Sequence, residues 1–78
     1  MKAEIYTSSY CPFCQRAKVI LEKHSVDYVE HVMDDRPDEL AKKKEEYSHP
    51  TVPIVLVDGK YIGGCSELEA LARDGGLS

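Results

Sequence analysis

The chain has 78 residues, 42% of them hydrophobic and 31% charged, which makes one small domain over residues 1–78 and excludes two-domain, solenoid and propeller architectures. Ten Lys and Arg against fourteen Asp and Glu give a net charge of −4, the wrong balance for phosphate binding, so no nucleic-acid partner is expected. A membrane span needs roughly 20 apolar residues and a signal peptide an early apolar run; the longest apolar stretch is Val52 to Val57 with Pro53 inside it, and Glu4 interrupts the start, so the expectation is a soluble, cytoplasmic protein with no membrane partner.

Lys2 to Thr7 alternates, with Ala3, Ile5 and Thr7 on one face and Glu4 and Tyr6 on the other, which predicts a strand. Ser8-Ser9-Tyr10 breaks it. From Pro12 the period becomes helical: Cys14, Ala17 and Leu21 share a face with Ile20 beside them, while Gln15, Arg16, Lys18, Glu22 and Lys23 are expected outside. Pro12 suits a first helical turn, with Cys11 as N-cap and an end near Lys23 or His24. Asp27 to Met33 predicts a second strand, and strand–helix–strand at this spacing is a parallel βαβ unit. Asp34-Asp35 is expected to open a second helix, with Pro37 near its start and a thin buried stripe of Leu40, Ala41 and Tyr47. Its run Lys42-Lys43-Lys44, followed by Glu45-Glu46, reads as a solvated face of mixed charge. After a loop over Ser48 to Pro53, Ile54 to Val57 predicts a strand buried on both faces. Asp58-Gly59 signals a hairpin, and Lys60-Tyr61-Ile62 returns antiparallel. Gly63-Gly64 turns the chain, and Ser66-Glu67-Leu68-Glu69 reads as a capping box with Ser66 as cap and Glu69 as its partner. The last helix is expected to end near Asp74 with Gly75 as a left-handed cap and Leu77 as its apolar contact. The order β-α-β-α-β-β-α, four strands in a mixed sheet with helices on both faces, is a compact α/β sandwich.

Of the three cysteines, two stand as Cys11-Pro12-Phe13-Cys14 and Cys65 is alone. A secreted disulfide scaffold of this size would carry an even set of four or more; in a reducing compartment this pattern points to redox or metal chemistry, not to a structural staple. At an N-cap, the Cys11 sulfur faces the free N–H groups of Phe13 and Cys14 and the positive end of the helix, which favours thiolate over thiol. The thiolate is the attacking species in disulfide exchange. Cys14, three residues on, returns to nearly the same side and is placed to attack a mixed disulfide on Cys11. Cys11 is thus the nucleophile and Cys14 the resolving thiol. Half a zinc site is the competing reading of C-x-x-C, but no second pair of ligands exists, and His24, His31 and His49 are scattered; no metal is expected. Phe13 is either an exposed apolar residue at a helix start or an apolar wall beside the reactive sulfur. Cys65 is expected to pack and not to react.

Three segments, in matching order and separation, resemble the small dithiol glutaredoxins. Cys11-Pro12-Phe13-Cys14 is similar to that family's C-P-[YF]-C site, Thr51-Val52-Pro53 to its T-V-P loop, and Gly63-Gly64-Cys65-Ser66-Glu67 to its G-G-x-[DS]-[DE] segment. The resemblance spans nearly the whole chain. It implies a thioredoxin-like three-layer sandwich and a glutathione-dependent oxidoreductase that reduces protein disulfides and glutathionylated proteins, with glutathione as electron-donor co-substrate and a monomeric state. It further implies a cis Val52-Pro53 bond, with the Val52 backbone open to an extended substrate as in strand addition. The N–H groups around Gly64, Cys65 and Ser66 would hold the γ-glutamyl carboxylate of glutathione. With Phe13, Thr51, Val52 and Pro53, these make the expected glutathione site. Two positions depart from the family. Ser8 stands where Lys is frequent, leaving Lys44 or His49 to contact the glycyl carboxylate, and Ser66 stands where Asp is common, leaving Glu67 to supply charge. Two other roles known among related proteins, a glutathione-ligated iron–sulfur cluster carrier and a glutathione-independent thioredoxin-like donor, fit less well: Pro12 argues against the first and the G-G-C-S-E segment against the second.

Overall fold

The computed structural model describes residues 1–9 and 11–77; Tyr10, the end of the expected break after the first strand, and Ser78 lie outside the described residues. Seven elements follow one another: β1 Lys2–Thr7, α1 Pro12–Lys23, β2 Asp27–Val32, α2 Pro37–Glu46, β3 Ile54–Val57, β4 Lys60–Gly63 and α3 Cys65–Arg73. The four strands form one sheet in the order β2-β1-β3-β4. β1 runs parallel to β2, with Ile5 opposite Glu30, and antiparallel to β3, with Ile5 opposite Val55. This is the expected mixed sheet in the expected chain order.

The alternation of β1 decides the layers. Ala3, Ile5 and Thr7 are wholly buried on the face covered by α1 and α3, which pack side by side. There Ala3 and Ile5 meet Ala17, Leu21, Val55, Val57, Cys65, Leu68 and Leu77 in one apolar cluster. Burying a side chain such as Ile5 or Leu21 stabilises by about 1.5–3 kcal/mol, so this layer holds α1 firmly under its cysteines. The opposite face carries Tyr6, with the Lys43 ammonium of α2 5.6 Å from its ring centroid. α2 buries no residue completely. Leu40 and Tyr47 are half-buried and Ala41 is exposed, so the expected buried stripe is thinner still. The cause is composition: Lys42, Lys43, Lys44, Glu45 and Glu46 leave too little apolar surface to bury. Asp34 and Asp35 form a turn ahead of this helix, and its N-cap is Arg36. β2 ends at Val32, one residue earlier than expected.

Asp58 and Gly59 both take positive φ, 52° and 81°, as a two-residue turn matched to strand twist requires. The last helix starts earlier than its Ser-x-x-Glu pattern predicts. Gly64, not Ser66, is the N-cap, and Glu67 Oε1 accepts the Gly64 N–H at 2.6 Å. Glu67, not Glu69, therefore makes the reach back that a capping box requires. Gly63 at φ 134° turns the chain into that cap, and a Cβ there would stand 2.6 Å from the Glu67 side chain. Helix α3 ends as expected: Gly75 at φ 82° and Gly76 donate back to Ala72 and Leu71, and Leu77 is buried, the pattern of a Schellman close.

Candidate functional site

Cys11 is the N-cap of α1 in extended conformation, with Pro12 behind it. Its Sγ accepts the Cys14 N–H at 3.3 Å. Of the two amides expected to face the sulfur, Cys14's makes this bond. The Cys11 thiol in turn donates to the Val52 carbonyl at 3.7 Å, a contact across 41 residues of chain that seats the cysteine against the loop before β3. The Val52-Pro53 peptide is cis.

The two cysteines stand in unlike surroundings. Cys11 is partly exposed and Cys14 is wholly buried. Burial, reinforced by its hydrogen bond with Cys11, pushes the Cys14 thiol up to about 12. Cys14 is therefore a protonated thiol at neutral pH, held one helical turn from the outward-facing sulfur. That arrangement suits one cysteine to meet substrate and the other to wait behind it. Both are free thiols, as is Cys65. Cys65 is buried in the α1/α3 layer, and its thiol is likewise pushed up by burial.

A cavity of about 180 Å³ opens beside Cys11, lined by Phe13, His49, Thr51, Val52, Pro53, Gly64, Cys65, Ser66 and Glu67. All seven residues expected to form a substrate site beside the cysteine pair are on its wall. Phe13 is 58% exposed and forms an apolar rim. The far wall is the first turn of α3, where Cys65, Ser66 and Glu67 occupy the positions whose N–H groups lack intrahelical partners. Such an end attracts a carboxylate. Two further residues belong to this wall. His49 Nδ1 is 2.8 Å from the Tyr61 hydroxyl, and its ring lies over Gly64. Glu67 caps α3 from within the cavity. Both are residues the sequence offered as substitutes, His49 for the lysine absent at Ser8 and Glu67 for the aspartate absent at Ser66, and both line the cavity. Lys44 does not line the cavity. Ser8, at the position without the frequent lysine, is buried. A larger hollow of about 650 Å³ lies between α2 and the sheet, over the stacked Tyr6 and His31 rings. No cysteine and none of the expected site residues line it, so its size does not make it the reactive centre.

Comparison with known proteins agrees with this geometry. The family model described as Glutaredoxin matches residues 3–62. A glutaredoxin of Pseudomonas aeruginosa is 38% identical over 73 residues, covering 94% of this chain and 87% of that protein. Glutaredoxin 3 of Escherichia coli is 41% identical over 78 residues, covering 95% of this chain and 89% of its own length. Among solved structures, the dithiolic glutaredoxin 2-C-Grx1 of Trypanosoma brucei brucei superposes with a TM-score of 0.84 at 35% identity, over 96% of this chain and 80% of that one. A buckwheat glutaredoxin–glutathione complex superposes with a TM-score of 0.87 at 29% identity, over 96% of this chain and 71% of that one.

Proposed function

The chain belongs to the glutaredoxin family of thiol–disulfide oxidoreductases, and from that premise we propose that it reduces protein–glutathione mixed disulfides and protein disulfides with glutathione as the electron donor. The observation that carries this reading is the cavity beside Cys11, which joins the Thr51-Val52-Pro53 loop to the first turn of α3. Its walls join the backbone of an extended loop to a helix N-terminus, which suits an extended, anionic peptide thiol. The backbone of Val52 would pair with the tripeptide and the α3 N-terminus would take its γ-glutamyl carboxylate. Phe13 would cover its apolar side.

The reaction follows from the unlike cysteines. Cys11 thiolate attacks the glutathione sulfur of a glutathionylated protein, and the protein thiolate leaves. A second glutathione attacks the sulfur of the bound glutathione, which returns Cys11 to the thiolate and releases oxidised glutathione. For a protein disulfide, Cys14 attacks the mixed disulfide at Cys11 instead, and the resulting Cys11–Cys14 disulfide is reduced by two glutathione molecules. We further propose that the protein acts in the cytoplasm as a monomer.

The test is NADPH consumption with a glutathionylated substrate, glutathione and glutathione reductase. Turnover that requires both the protein and glutathione is expected. Turnover driven by thioredoxin reductase without glutathione would overturn the glutathione assignment.

A further inference from the structure

Lys18 is one of the charges expected to lie outside α1, and its side chain is only 17% exposed. It follows Cys14 by four residues, on the same helix face. Its Nζ stands 3.1 Å from Glu30 Oε2, and the same oxygen accepts the Thr7 hydroxyl at 2.8 Å. Glu30 lies opposite Ile5 in the β1–β2 register, so its side chain stands on the sheet face that α1 covers. Thr7 is wholly buried and is the last residue of β1 before the cysteine loop. One carboxylate oxygen thus ties together the helix that carries both cysteines, the edge strand β2 and the end of β1. Reduction of a disulfide by Cys11 alone makes no use of this cluster.

We propose that Glu30 and Lys18 are positioning residues for the resolving step: Glu30 sets a fixed negative charge on the Cys14 side of α1, Lys18 balances it, and together they govern how readily Cys14 becomes a nucleophile. The proposal rests on Cys11 as the attacking and Cys14 as the resolving cysteine. In the step concerned, the Cys14 thiol gives its proton to water and its sulfur attacks the Cys11 sulfur of the mixed disulfide. The Cys11–Cys14 bond forms as the bond to the outgoing sulfur breaks. The outgoing sulfur leaves as a reduced thiolate, and the two cysteines are left oxidised as a disulfide. The titratable groups acting against charge on Cys14 are Cys11, through its hydrogen bond and its charge, and Glu30, both added to burial. Glu30 is itself ionised at neutral pH, because the hydrogen bonds from Thr7 and Lys18 outweigh the effect of burial.

The two partners make opposite predictions, which a purely structural clasp would not. Glu30→Gln keeps an acceptor for Thr7 and removes the charge. Lys18→Met leaves the charge unbalanced. A thiol whose pKa falls by one unit gains about tenfold in thiolate and loses about threefold in nucleophilicity, so the net gain is about threefold. The probe is a symmetrical aromatic disulfide that releases a coloured thiolate, mixed rapidly with the reduced protein. Its first release reports attack by Cys11 and its second reports resolution by Cys14, and glutathione is not needed. Glu30→Gln should speed the second release up to about threefold, and Lys18→Met should slow it by a similar factor. Lys18→Arg should restore it, with the first release unchanged throughout. Slowing of the second release by both Glu30→Gln and Lys18→Met, or no change in either, would overturn the proposal. In Cys11→Ser the first release must vanish; its persistence would refute the assignment of the cysteines, a separate result from either of these.

Discussion

Gly64→Ala tests how tightly the cavity wall is built. A Cβ on Gly64 would stand 3.1 Å from His49 Cε1 and 3.2 Å from His49 Nε2, with the Pro53 carbonyl oxygen at 3.4 Å. The first two distances require the imidazole to yield by a few tenths of an ångström, whereas the third is ordinary contact. The imidazole does not yield freely. Its Nδ1 is tied to the Tyr61 hydroxyl at 2.8 Å, and Tyr61 is stacked on Tyr47 with centroids 4.8 Å apart. Overpacking of this kind costs about 1–3 kcal/mol, and breaking the His49–Tyr61 hydrogen bond costs about 1 kcal/mol. A destabilisation of about 2 kcal/mol is expected, which for a domain of this size lowers Tm by roughly 8–16 °C. Ala is also a poorer N-cap than Gly, but that part is independent of His49. Thermal unfolding followed by circular dichroism on Gly64→Ala, His49→Ala and the double variant separates the two. In the His49→Ala background the clash is gone, so Gly64→Ala should cost less by about 1–2 kcal/mol. Equal losses in both backgrounds would show that His49 does not press on Gly64 and would refute the packing argument.

Cys11→Ser should abolish reductase activity. Cys14→Ser should keep reduction of glutathione mixed disulfides while losing intramolecular resolution of protein disulfides; steady-state assays on the two substrate types separate these outcomes. Cys65→Ser should leave turnover within about threefold, roughly 0.7 kcal/mol of barrier, and a hundredfold drop in the same assay would make Cys65 a third redox member. Glu30 titrates below the usual carboxylate range in the folded chain and near about 4.3 when unfolded, so its contribution to stability is complete above the unfolded value and is lost as pH falls through the folded one. Thermal midpoints measured from pH about 6 downward should therefore fall less steeply in Glu30→Gln than in the parent chain.

The elements near each other in sequence were legible without coordinates because their physics is local. Pro12 after a capping Cys11, the 3.6-residue spacing of Cys14, Ala17 and Leu21, the Asp58-Gly59 turn and the β-α-β spacing each act within a few residues, and all appear in the structure as read. The C-P-F-C spacing likewise specified which cysteine caps the helix and which is buried behind it. The rest depended on what the chain brings back from a distance. Lys18 is charged and therefore expected outside α1, yet Glu30 on the edge strand reaches it and closes it from solvent, a meeting that follows only from sheet order. Ser66-Glu69 and Gly64-Glu67 share the same spacing, and local pattern could not choose between caps. The path of the chain out of β4 through Gly63 chose the second. The Cys11 thiol meets the Val52 carbonyl, and His49 settles over Gly64, because β3 lies beside β1 in the sheet and carries its preceding loop to the cysteines. Contacts of that range depend on packing of the whole domain, and no window of neighbouring residues contains them.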